Sequence, residues 1–235
     1  MDNIVLVSLQ VGLPQSFVCD DAADLLKRSW QTGFYKKLVK DKVWLGHTNL
    51  AGDGQADLIH HGGADKAVLA YAASHYECWQ TDFPQIEWSF GAFGENFTID
   101  SQTESETCIG DVYAVGEAVV QVSQPRQPCW KIERRHQQKE LVKRVVKTGR
   151  SGWYLRVLQT GFVSAGNMLR LLERPFPRWT ILLANEIMHH RKNDRALAGE
   201  IAACAALSES WRKTLKNRAE NGINLSADLR EKGET

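Results

Sequence analysis

The sequence predicts a mainly β protein with helices: a β-barrel-like domain over residues 1–174, then a small three-helix domain over residues 178–230. Three observations predict it. Short apolar runs punctuated by glycine fill the first part, as in closed or sandwiched β architectures rather than doubly wound sheets. Arg174-Pro175-Phe176-Pro177 then marks a joint, because each proline removes a donor and restricts the residue before it. Beyond the joint, apolar residues recur at helical spacing.

The elements follow in order. Ile4 to Val11 reads as a strand. Ala22 to Leu26 reads as a helix. Val43 to Thr48 is a strand with Val43, Leu45 and His47 on one face and Trp44 on the other. Ala67 to Tyr71 is a short buried run, after which Ser74 caps a helix through Trp79. Asn96–Ile99, Asp111–Val115, Val119–Ser123, Trp153–Leu158, Phe162–Ala165 and Met168–Leu172 are further strands, bounded by Gly110, Gly116, Gly152, Gly161 and Gly166. Gln137 to Lys147 is a helix: Leu141, Val142, Val145 and Val146 share a face and Gly149 ends it. Past the joint, helices are expected from Arg178 to His190, after Asn193 with Leu197, Ile201 and Cys204 in a stripe, and from the N-cap Ser208 to Asn221-Gly222. So short a helical unit is expected to dock on the barrel.

The chain has 235 residues, with 29 Lys plus Arg against 28 Asp plus Glu, a net charge of +1. That balance argues against a globally basic nucleic-acid binder. Residues 178–235 also lack a concentrated basic recognition helix, so no nucleic-acid partner is expected there. The balance hides a division. Ala67 to Pro125 holds nine acidic residues and no Lys or Arg, while Arg126 to Arg150 holds nine basic residues against Glu133 and Glu140. No apolar run is long enough to span a membrane and the first residues do not read as a secretory leader, so a cytoplasmic location and no membrane partner are expected. Five irregularly spaced cysteines do not read as a disulfide framework.

Three stretches carry chemistry. The first, Asp53 to Val68, includes His60-His61-Gly62-Gly63 and Lys66. Gly62-Gly63 lets the backbone turn tightly and offer N–H groups, and Lys66 adds a point charge for an anion. On a strand, His60 and His61 would face opposite sides. The second, Phe90 to Thr98, sets Glu95-Asn96 among apolar residues, where Asn96 either braces a loop or reads a ligand. The third, Val119 to Lys131, leads a strand through Pro125 and Pro128 to Cys129. A helix start and the flanking Arg126 and Lys131 favour a thiolate there, the nucleophilic and metal-binding form.

Taken together, these stretches resemble the MOSC domain, the family named from the C-terminal part of molybdenum cofactor sulfurases. The likeness rests on residues 53–66, Gly91–Thr98 (GAFGENFT), Ser123–Lys131 (SQPRQPCWK), Gly152–Arg156 (GWYLR) and Gly161–Gly166 (GFVSAG), in order. The appended helices resemble those of stand-alone bacterial members. The resemblance implies a cleft for the molybdenum cofactor (molybdopterin), with Cys129 as the molybdenum ligand. It implies reduction of N-hydroxylated compounds, such as purine analogues and amidoximes, to amines or amidines. Electrons would come from an NADPH-dependent flavoprotein reductase, which could dock on the C-terminal helices. Desulfurase activity is not implied. Gly62, Gly63, Lys66, Asn96, Arg126 and Lys131 are then the candidate cofactor-binding residues, and Cys129 with His61 or His60 the catalytic ones, a histidine supplying the proton that releases water. Gly166-Asn167 departs from the family's frequent Gly-Asp, which weakens any role assigned to an acid at that place. The alternative is a non-catalytic carrier of molybdopterin or sulfur using Cys129. A homodimer is left open.

Overall fold

In the computed structural model, residues 4–18, 26 and 29–224 are described, apart from the side chains of residues 59 and 60. The strands are β1 (Ile4–Val11), β2 (Gln15–Phe17), β3 (Trp30–Thr32), β4 (Lys37–Leu38), β5 (Val43–Leu45), β6 (Val68–Ala72), β7 (Phe97–Asp100), β8 (Val112–Val115), β9 (Ala118–Pro125), β10 (Trp153–Gln159), β11 (Gly161–Val163) and β12 (Met168–Glu173). The helices are α1 (Leu58–His61), α2 (His75–Asp82), α3 (Lys131–His136), α4 (Leu141–Thr148), α5 (Ile181–His189), α6 (Arg195–Ala202) and α7 (Glu209–Asn221).

Seven strands close into a barrel in the order β12-β8-β9-β10-β6-β7-β1, with β1 pairing back to β12. Every pairing is antiparallel except β6 with β7. Closure leaves no long open edge. Strand β6 is buried at all five positions because the barrel covers one face and the α2 layer the other. The β8–β9 hairpin turns at Gly116, whose φ of 56° is one of two reasons for glycine there. The other is space, since a Cβ would sit 2.4 Å from the Phe162 carbonyl oxygen.

The barrel interior runs without a break into the C-terminal helices. Leu6, Phe97, Val120, Val122 and Trp153 belong to the same apolar core as Trp179, Ile187, Trp211 and Leu215. Truncating the fully buried Trp153 would cost about 3–5 kcal/mol. A second core joins α2, α3 and α4 to Tyr71, Phe93 and Phe34. Thr180, Asp194 and Ser208 cap the last three helices, each side chain accepting from a backbone N–H three residues on. Gly222 ends α7 in the left-handed region. No helix among the described residues is long and apolar enough to cross a membrane.

Several elements differ from expectation. The helix expected over Gln137–Lys147 starts only at Leu141 and runs to Thr148 as α4, because Gln137 and Glu140 both have positive φ and separate it from α3. Strand β5 ends at Leu45, where Gly46 turns back to Asn49, so His47 is off the strand. Helix α5 starts at Ile181 rather than Arg178. Ser74 precedes α2, but its side chain makes no capping bond. The helix expected over Ala22–Leu26 falls outside the described residues except for Leu26.

Candidate functional site

A cleft, partly open to solvent, lies beside β6, β9 and β10. Four stretches of chain build it: Thr32 to Lys36, Gly54 to Lys66, Leu69 with Phe93 to Asn96, and Arg126 to Lys131 with Tyr154.

The Cys129 segment forms one wall. Strand β9 ends at Pro125, and the Arg126 N–H continues the ladder to the Gly152 carbonyl at 3.0 Å. Helix α3 begins two residues after Cys129 and is only six residues long. Cys129 is 4% exposed, and Arg126 is 4% exposed. The Arg126 guanidinium lies 5.7 Å from the Phe34 ring centroid, yet its Nη1 has no hydrogen-bond partner among the described residues. A buried guanidinium nitrogen without a partner carries an uncompensated desolvation cost that an anion would remove. Lys131 lines the same wall. The other described cysteines, Cys78, Cys108 and Cys204, are free thiols away from the cleft, and burial pushes Cys108 and Cys204 up.

The segment from Asp53 to Lys66 forms a second wall. His60 and His61 lie on the one-turn helix α1, not on a strand, and His61 lines the cleft. The His60 side chain is outside the described residues. Burial, then Lys131, and more weakly Arg126 and Lys66, push His61 down to about 4 against the pull of Asp57. His61 is therefore neutral at pH 7 and is not a standing proton donor; added negative charge would raise it. Its Nδ1 stands 3.5 Å from Asp57 Oδ2. Gly62 and Gly63 do not line the cleft. They form the turn that carries the chain from His61 to Lys66, with Gly63 at φ 95° and the Lys66 N–H donating to its carbonyl at 2.9 Å. Lys66 does line the cleft, and burial lowers its pKa.

Asn96 also reaches the cleft, but its amide is committed to bracing. It donates to Asp53 Oδ2 at 2.9 Å and to the Gln10 carbonyl at 3.2 Å, and accepts from the Leu69 N–H at 3.1 Å. Its neighbour Glu95 accepts from Tyr76, Thr98 and the Gly91 and Phe93 N–H groups, which locks the loop behind the cleft. Asn167 is structural as well, its side-chain oxygen accepting from the Ser164 N–H at 2.9 Å. An amide oxygen serves that contact as a carboxylate would.

Sequence reasoning missed Lys36. It lines the cleft, pairs with the buried Asp53, and is lowered by burial against that pairing. It also missed an aromatic group from β2, β3 and the start of α3. Trp30 lies 5.7 Å from both Phe17 and Trp130, and Arg134 stands 4.1 Å above Trp130. Arg135 lies over Tyr35 at 4.7 Å and donates to the Phe34 carbonyl at 2.6 Å. The local signal was weak: an Arg-Arg pair and scattered aromatics come together only through the fold.

The sequence matches the MOSC domain over residues 57–170 and the YiiM-like, 3-alpha helix domain over residues 179–222. It is 44% identical to YflK of Bacillus subtilis over 213 residues, covering 91% of this chain and 93% of that protein. It is 36% identical over 172 residues to a protein of Gibberella moniliformis named Reductase, covering 72% of this chain but only 30% of that longer protein. The crystal structure of YiiM from Geobacillus stearothermophilus superposes with a TM-score of 0.77 at 36% identity, covering 92% of this chain and 99% of that one.

Proposed function

The chain belongs to the MOSC domain family, and we propose that it reduces N-hydroxylated compounds with a molybdenum cofactor held through Cys129. One observation carries the reading: a buried thiol and a buried guanidinium nitrogen with no hydrogen-bond partner among the described residues share one cleft with Lys66 and Lys131.

The residues fit such a group on their own chemistry. Among the described residues no three His, Cys, Asp or Glu side chains are grouped to hold a metal ion. A single soft thiolate suits a metal that arrives inside an organic ligand with its own sulfur donors. The cations suit that ligand's phosphate, and Arg126 is the anchor whose pairing relieves a buried charge. When bound, the cofactor supplies the two-electron chemistry that takes R–NH–OH, with two electrons and two protons, to R–NH₂ and water.

The chain's own residues do the rest. Cys129 fixes the cofactor, while Arg126, Lys66 and Lys131 orient its anionic end. Asn96 and Asp53 hold the wall rigid and keep the Lys36 ammonium at the cleft. Lys36 and His61 are the groups able to hand protons to a leaving hydroxyl, His61 after gaining one as negative charge enters. The buried wall of Phe34, Phe93 and Leu69 excludes water. Electrons come from an NADPH-dependent flavoprotein reductase. A longer fungal protein that contains a region similar to this chain is named Reductase, which supports a reductive reading.

Turnover of an aromatic amidoxime with a chemical reductant tests this on wild type and Cys129→Ser made in a cofactor-competent host. Loss of turnover in the variant is expected. Equal turnover in both would overturn the assignment, and a persulfide on Cys129 without turnover by wild type would point to a sulfur carrier.

A further inference from the structure

Asp65 and Lys66 are adjacent in the 3₁₀ turn Ala64–Lys66. Lys66 lines the cleft, and Asp65 is engaged elsewhere. Asp65 Oδ1 accepts from Arg156 Nε at 2.9 Å and Nη2 at 2.8 Å. Arg156 is itself tied to the barrel wall, its Nη1 donating to Gln121 Oε1 at 3.0 Å. Asp65 Oδ2 accepts from the N–H of Glu209, the first residue of α7, at 3.3 Å. The Asp65 carbonyl accepts from Ser123 Oγ at 2.6 Å. The Ser123 carbonyl in turn accepts from the N–H of Ser208, the N-cap of α7, at 2.9 Å. Helix α7 is anchored independently, since Trp211 and Leu215 are buried in the shared core.

We propose that Asp65 is a positioning residue through which the three-helix domain holds the site turn, and Lys66 with it, against the cleft. The glycines explain why a clasp is needed. The turn is entered through Gly62-Gly63, and Gly63 has open space on its side-chain face, so this stretch has little stiffness of its own. Its position is set by what Asp65 grips. A lysine held in place binds an anion at lower entropic cost than one that swings free. The ligand-binding half of the proposal rests on the reading of the cleft as an anionic cofactor site; the mechanical half does not.

The test uses the full chain purified without cofactor. Asp65→Ala, Lys66→Ala and the double variant are titrated with inorganic pyrophosphate, and amide hydrogen exchange is followed at residues 62–67 and 208–212. Each single variant should weaken pyrophosphate about tenfold, and the double variant should lose no more than either. In Asp65→Ala, exchange should rise in both segments together while α4 stays as in wild type. Arg156→Gln removes the same carboxylate's barrel partner and should raise exchange at residues 62–67 even if Asp65→Ala folds poorly. Additive affinity losses, or unchanged exchange in Asp65→Ala and Arg156→Gln, would overturn the proposal. Raised exchange in a protein whose wild type ignores pyrophosphate would keep the clasp and sink the cofactor reading instead.

Discussion

Asp111 and Arg126 are both buried charged residues on the barrel, and they differ in company. Asp111 is fully buried and accepts from the Cys108 N–H, Tyr113 Oη, and Nε and Nη2 of Arg174, all between 2.7 and 3.0 Å. Its charge is matched within the protein, and its carboxylate keeps the Arg174 guanidinium firmly protonated. Arg126 is nearly as buried, but it stands over the Phe34 ring, shares its cleft with Lys66 and Lys131, and has one nitrogen, Nη1, without a hydrogen-bond partner among the described residues. Buried polar groups in folded proteins are almost always satisfied, so the first arrangement is complete as it stands and the second is complete only with a ligand. The difference separates charge that holds the fold from charge kept for binding.

The comparison can be broken at either end. Asp111→Asn should lower unfolding free energy by about 3 kcal/mol in a denaturant titration. That is the low end for a broken buried pair, because Arg174 keeps 34% of its side-chain surface in water. Arg126→Met should do the opposite, leaving stability unchanged or raised by about 1 kcal/mol while pyrophosphate affinity falls at least about tenfold. A destabilised Arg126→Met with intact binding would erase the distinction.

A smaller effect sharpens it. His61 and His136 are both pushed down to about 4, chiefly by burial. His136 packs against the stacked Trp88 and Phe93 rings and bonds the Ala92 carbonyl, away from the cleft cations. Both folded values lie below the ordinary 6.5, so the unfolded chain binds more protons as the medium is acidified. Stability is therefore full above pH 6.5 and declines as pH falls toward 4. NMR titration with pyrophosphate should raise the His61 value and leave His136 in place. Parallel movement of both would mean that no anion enters beside His61.

The same contrast explains what could be read in advance. The barrel strands showed as glycine-bounded apolar runs, and Ser208, Gly149 and Gly222 marked helix ends because capping is local chemistry. Cys129, Arg126 and Lys131 were legible because they are close in sequence and unusual together. Lys36, Phe34 and Tyr154 were not, because only barrel closure brings residues so far apart onto one wall. Asn96 could be read either way until its three bonds were seen to be used. The acidic and basic runs owe part of their charge to ordinary pairing, as Asp82 holds both Arg144 and Arg150. The break at Gln137 and Glu140 had no local signature, since neither is a residue that favours positive φ.

The most direct test of the central claim is the molybdenum content of wild type and Cys129→Ser purified side by side from a cofactor-competent host. The account predicts stoichiometric molybdenum in wild type and little or none in the variant, with both folded. A variant that retains molybdenum as wild type does would contradict it.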